Sequence, residues 1–271
     1  MKKLEKIRCK YILQNVFSFI EKKTGLQIVK YNKDLQKKLN IRLSSYKKLS
    51  ETFIIYDSKT KGKEYNSKNK QLVFEGDFIH GKRNGIGKEY NKKLNVIFEG
   101  EYKNGKRNGN GKEYIDNKLT FAGEYKNGTR NGIGKLFYKD GKIQFKGEYK
   151  NGEKNGKGKE YNYGGGLRFI GHYVDGKRNG KGKEFLYAGL VFRNALKENN
   201  NNNVLTFEGE YLNGEKNGYG KEYYFNGNLK FEGLFLNGCK DTRRGKEYDE
   251  FGYLKKDNIF YSSINPHSKK C

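Results

Sequence analysis

The tetrapeptide Gly85-Ile86-Gly87-Lys88 has the makings of a phosphate cradle: glycines that let backbone N–H groups approach an anion, and a lysine to meet its charge. A Walker loop, however, places four residues before its Gly-Lys pair and then a Ser or Thr that holds magnesium. Between Gly81 and Gly87 there are five, and Glu89 follows Lys88. The same pattern also recurs down the chain, as structural turns do and a single active site does not. Close carboxylate pairs, Glu99 with Glu101 and Glu208 with Glu210, are the residue types of general acid–base chemistry. Their i, i+2 spacing puts both on one strand face. At the equivalent first positions elsewhere stand Ala122, Lys146 and Ile170, so the pairs read as a solvated face. His80, His172 and His267 show no ligand spacing, and no nucleophile has a base beside it. The reading is a non-enzymatic chain without a metal or cofactor.

The remaining chemical signal is positive charge placed after turn glycines: Lys82 and Arg83, Lys106 and Arg107, Arg130, Lys154, Lys177 and Arg178, and Lys216. If each hairpin adds two strands about 4.8 Å apart, these residues recur at intervals of about 10 Å along one edge. Such a basic edge can meet acidic groups on a protein or the phosphates of a lipid surface. Glu153 and Glu215 dilute it.

The elements that carry these residues repeat. A block begins at Phe74, Phe98, Phe121, Phe145, Phe169, Phe207 and Phe231, with spacings of mostly 24 residues. Gly follows each Phe by two positions, and an aromatic follows by four: Phe78, Tyr102, Tyr125, Tyr149, Tyr173, Tyr211 and Phe235. These aromatics form the candidate binding face. A turn Gly comes next in every copy, then Gly-x-Gly in six of them. Phe-x-Gly-x-Tyr has the period of a strand, and Asn-Gly or Asp-Gly marks a tight hairpin turn. Glycine inside a strand signals close approach by another group, here an aromatic ring lying over the bare backbone. One hairpin is marginal alone, so the copies must stack.

This pattern resembles the MORN repeat over residues 74–248. The resemblance implies a mainly β fold, an elongated single sheet of successive antiparallel hairpins, and roles in protein assembly or membrane-associated organisation, lipid binding included. The last copy departs from the pattern, with Cys239-Lys-Asp-Thr-Arg-Arg-Gly245 in place of the Gly-x-Gly turn.

Composition agrees with a thin, local core. Of the 271 residues only 34% are hydrophobic, yet 22 Tyr and 18 Phe accompany 36 Gly and a single Pro. The organisation expected is a basic helical segment at 1–51, a degenerate opening hairpin at 52–73, the array at 74–255 with an insertion at about 188–201, and a tail at 256–271. The formal charge is +26. Residues 1–60 hold 15 basic and 5 acidic side chains, so the charge is densest at the front. Leu4, Ile7, Tyr11, Val16 and Phe19 have helical spacing there. Residues 12–41 also resemble an F-box-like helical module, which implies a substrate adaptor of a ubiquitin ligase. Cys9, Cys239 and Cys271 read as free thiols, and no apolar run is long enough to span a membrane. The expectation is a cytoplasmic scaffold, with peripheral membrane association as the alternative. It would bind a protein partner or anionic membrane lipids, and its interleaved Lys and Glu argue against nucleic acid.

Overall fold

The computed structural model describes residues 51–187 and 203–257, in two compact units divided between Gly105 and Lys106. All regular structure among these residues is strand, arranged as antiparallel hairpins, as the periodicity predicts. The first unit holds β1 (Thr52–Tyr56), β2 (Lys61–Asn66), β3 (Leu72–Ile79), β4 (Lys82–Tyr90) and β5 (Val96–Lys103). Each pairs with the next in chain order. The second unit continues with β6 (Lys106–Ile115), β7 (Lys118–Lys126), β8 (Thr129–Phe137), β9 (Ile143–Lys150), β10 (Glu153–Tyr161) and β11 (Leu167–Val174). It ends with β12 (Lys177–Tyr187), β13 (Asn203–Leu212), β14 (Glu215–Tyr223), β15 (Leu229–Leu236), β16 (Cys239–Tyr248) and β17 (Leu254–Asp257). Sequence neighbours again pair throughout this unit. The N-terminal helical segment, with its F-box-like stretch at 12–41, the insertion at 188–201 and most of the C-terminal tail lie outside the described residues.

Local chemistry sets these hairpins. Asn151 and Gly152 have φ values of 53° and 96°, the left-handed pair that a tight hairpin turn requires and that Asn-Gly supplies at least cost. The Gly152 N–H then donates to the Arg130 carbonyl of the preceding copy at 2.9 Å, and the equivalent bond recurs from Gly128, Gly176, Gly214 and Gly238. Each turn is thereby laced to its neighbour, which locks the copies into one register. The 23-residue step between Phe98 and Phe121 follows from a shorter link. Tyr114 pairs with Leu119 across Asp116-Asn117, where the first copy pairs Tyr90 with Val96.

The core is a single layer of rings. Every repeat Phe is fully buried, and the aromatic four residues later is 2–5% exposed. In the second unit the rings meet edge to face in an unbroken run, as in Phe121–Tyr149 at 5.2 Å, Phe145–Tyr173 at 5.2 Å and Phe169–Tyr211 at 5.2 Å. Such contacts add about 0.5–1.5 kcal/mol each beyond the area they bury. The glycine expectation holds: a Cβ built on Gly158 would lie 2.5 Å from the Phe145 ring. The ring therefore occupies the space where a side chain would start.

The final copy keeps Phe231, Gly233 and Phe235 but carries four residues between Lys240 and Gly245, where regular copies carry three. Asp241 organises this longer bulge by accepting from the Arg243 N–H at 3.1 Å and pairing with Arg244 at 2.9 Å. One reading is corrected here: Cys239 is disulfide-bonded, not a free thiol. Separation along the sequence sets no limit on approach in the fold; Cys9 and Cys271 lie outside the described residues.

Candidate functional site

Period-two alternation sends neighbouring residues to opposite faces, and this separates the two members of each basic pair. Lys82, Lys106 and Lys177 point outward and are exposed at the strand starts. The second members turn onto the aromatic face. Arg83 lies 4.4 Å from the centre of the Phe74 ring, Arg130 4.1 Å from Phe121, Lys154 4.4 Å from Phe145, Arg178 4.0 Å from Phe169 and Lys216 4.2 Å from Phe207. Arg107, half-buried like the others, pairs with Glu113 at 3.6 Å. A cation over a ring contributes about 0.5–2 kcal/mol, depending on desolvation.

The Glu of each Gly-x-Gly-Lys-Glu segment completes the layer. Arg178 reaches Glu160 at 2.6 Å and Glu184 at 2.7 Å, while Lys154 also reaches Glu160 and Lys216 also reaches Glu184. A chain of alternating charge thus runs over the rings from Lys154 to Lys216. Arg83 bridges Glu64 and Glu89 in the first unit in the same manner. The Tyr125 hydroxyl donates to Glu113 at 2.6 Å and the Tyr102 hydroxyl to Glu89 at 2.9 Å. Burial raises the Glu160 carboxyl, but the Arg178 hydrogen bonds and the charges of Arg178 and Lys154 outweigh it and hold the pKa below the ordinary range. Glu113 is lowered against its own burial by Arg130 and Tyr125. Burial, reinforced by Glu160, raises the Tyr173 hydroxyl, so it stays protonated.

The consequence for the sequence-derived candidates is concrete. Phe78, Tyr102, Tyr125, Tyr149, Tyr173, Tyr211 and Phe235 come together as the core, with almost no surface left for a ligand. Arg83, Arg107, Arg130, Lys154, Arg178 and Lys216 are covers over that core, held by carboxylates.

The opposite face carries different chemistry. Acids there do structural work at the bulges: the Ile133 N–H donates to Glu124 at 3.2 Å and the Lys157 N–H to Glu148 at 3.1 Å. A row of lysines from Gly-x-Gly-Lys crosses the strands beside them. Towards the end of the second unit they are balanced, Lys183 by Glu208 at 2.8 Å and Lys221 by Glu232 at 3.7 Å. Across β8, β9 and β10 they are not. There Lys146 faces Lys135 on one side and Lys159 on the other, and Ile170 is the next cross-strand neighbour of Lys159. A trough of about 800 Å³ lies over this region, floored by glycines and running from Ile133 to Tyr219. Among the described residues no group of His, Cys, Asp and Glu could hold a metal ion.

The fold is that of a β-hairpin repeat protein whose copies are joined by ring and ion-pair contacts. The MORN repeat family matches at residues 74–93, 98–119, 121–143, 145–166, 169–189 and 207–229, and the chain belongs to that family. The seventh copy, from Phe231, lies beyond the matched segments yet repeats the same ring packing. No curated protein matches the chain. Among solved structures, the Glycosylation Associate Protein (Gap123) complex from Streptococcus agalactiae is 10% identical over 46% of this chain and 19% of that one, with a TM-score of 0.21. A crystal structure of TarM is 14% identical over 65% of this chain and 29% of that one, at 0.23. The chain spans less than a third of either structure, and likeness at this level carries no argument.

Proposed function

We propose that the chain is a non-enzymatic scaffold whose repeats present a long face for protein–protein interaction. The observation that carries this is the internal use of the repeat chemistry. Rings, cations and the Glu that most copies carry satisfy one another within the sheet, so the reactive-looking residues are occupied in holding it. What faces outward is a regular array of side chains, one row per strand, of the kind that makes many weak contacts with an extended partner. The family's association with binding and scaffolding supports the same reading. Affinity capture with the intact chain, paired with flotation on phosphatidylserine and phosphoinositide vesicles at physiological salt, tests it. A stoichiometric protein partner without flotation is expected; flotation with no protein partner would reverse the conclusion.

The second reading is an anionic-lipid tether. It is favoured by the 15 basic and 5 acidic residues of the first sixty, since each cation near such a surface contributes about 1 kcal/mol. Deleting residues 1–60 would then abolish flotation, whereas capture of a protein by the repeats would survive.

A further inference from the structure

The trough on the face opposite the rings is where this chain departs from its own repeat. The residue after the repeat Phe is Glu in four copies (Glu75, Glu99, Glu208 and Glu232), but Ala122, Lys146 and Ile170 in three consecutive ones. All three replacements fall together in space. They remove the acid partners from Lys135 and Lys159 and add a further cation between them. In the adjacent row Lys157 faces His172 across the strands where an acid stands in most copies. Lys135, Lys146, Lys157, Lys159 and Lys181 are exposed, and none makes an ion pair among the described residues. Self-repulsion of this kind lowers stability, so a counter-charge from outside would be favourable.

We infer that this trough binds an extended acidic peptide segment of a partner protein, which deepens the scaffold reading by naming its site and the chemistry of the partner. Three observations select this occupant. First, no segment outside the described residues is acidic: residues 1–60 are strongly basic, residues 188–202 carry Arg193 and Lys197 against Glu198, and the last fourteen contain lysine but no acid. Second, the glycine floor (Gly147, Gly158, Gly171, Gly182) is recessed between two rows of side chains. A flat bilayer would touch the rims alone, whereas a single extended chain can lie on the floor. Third, Glu148, Glu208 and Glu210 interrupt the lysines along the trough, which opposes a continuous phosphate backbone but suits carboxylates spaced by apolar side chains. Ile133 and Ile170 offer those side chains a surface. The seven strands from β8 to β14 span about 29 Å at about 4.8 Å between neighbours, the length of about nine extended residues.

Fluorescence anisotropy on the full chain tests this with a short labelled peptide of Glu and Leu matched to that length. Phosphatidylserine vesicles and inorganic polyphosphate serve as competitors. Lys146→Glu installs the acid that other copies carry, so the fold is retained with an equal or higher melting midpoint. It should weaken the peptide by about tenfold, the scale expected when a close charge pair becomes a repulsion. Lys159→Ala provides an independent variant with a smaller loss, and Lys177→Glu, exposed at a strand start away from the trough, should leave affinity unchanged. Equal peptide affinity for the parent chain and Lys146→Glu would overturn the proposal. So would vesicles or polyphosphate that bind in place of the peptide and lose affinity with the same variant. A protein partner captured equally by parent and Lys146→Glu chains would leave the scaffold reading standing while removing the trough.

Discussion

Leu136 occupies the place over the rings that Glu113 and Glu160 hold in the copies on either side. The Tyr149 hydroxyl that would donate to a Glu there is buried without a hydrogen-bond partner. Tyr125 donates to Glu113 in the matching position, whereas the Tyr173 and Tyr211 hydroxyls, close to Glu160 and Glu184, stop short of a hydrogen bond. Burial is the largest influence on Tyr149, with the Arg130 charge opposing it and Glu113 and Glu153 reinforcing it, and pushes its pKa up to about 12. Leu136→Glu should place a carboxylate between Arg130 and Lys154, within reach of that hydroxyl, as Glu113 is within reach of Tyr125. A hydrogen bond to a charged group is worth about 1.5–3 kcal/mol, and desolvation of the new carboxylate offsets part of it. The expected result is a gain of about 1 kcal/mol in urea unfolding. A lower midpoint would show that Leu136 packing outweighs the missing bond.

Gly158 tests the ring-over-backbone packing. A Cβ there would lie 2.5 Å from two atoms of the Phe145 ring, and Phe145 has no exposed side from which to withdraw. Gly158→Ala should cost about 2–3 kcal/mol, the upper range for overpacking a core. The matched double variant Gly158→Ala with Phe145→Leu should recover part of that loss, because the branched chain vacates the ring position. Thermal unfolding that ranks the double variant below Gly158→Ala would reject ring contact as the cause.

The hairpin period, the turn type and the ring-covered glycines were legible in the sequence because each depends on residues close along the chain. The charge layer was not, although its residues were conspicuous. Arg178 gains its meaning from Glu160 in the previous copy and Glu184 in its own, and a register joining copies is set by hydrogen bonds such as Gly214 to the Arg178 carbonyl. Alternation alone could have separated Lys177 from Arg178, since consecutive strand residues face opposite ways. The trough also left a trace: Ala122, Lys146 and Ile170 were visible as breaks in a carboxylate pattern. Their effect needed the cross-strand pairing that brings Lys135, Lys146 and Lys159 side by side.

Arg178 should be the most demanding cation in the second unit, because it covers Phe169 and bridges two carboxylates with only 15% of its side chain exposed. Arg178→Ala leaves Glu160 and Glu184 facing each other across an uncovered ring and should cost about 2–3 kcal/mol. Arg178→Lys keeps the charge but not the fork that serves both partners, so its loss should be about half as large. A lysine can still cover the ring, as Lys154 covers Phe145. Equal losses in the two variants, measured by urea titration, would therefore assign the whole effect to the two-sided pairing, and no loss in Arg178→Lys would show that charge and ring coverage suffice.

The same layer predicts an acid response with a definite sign. Glu160 and Glu113 have folded pKa values below those of the unfolded chain, so the unfolded state binds more protons in the acid range. Their contribution is fully present above the ordinary carboxylate pKa, about 4.3. It is lost as pH falls through the lower folded values. Stability should therefore be flat near neutrality and fall on acidification below about pH 4. Glu160→Gln removes one of these titrating groups while keeping its size. This variant should begin less stable at neutral pH, where Lys154 and Arg178 lose a shared counter-charge, and should fall less steeply in acid. Parallel stability profiles for parent and variant between neutrality and pH 3 would place the acid sensitivity outside the charge layer.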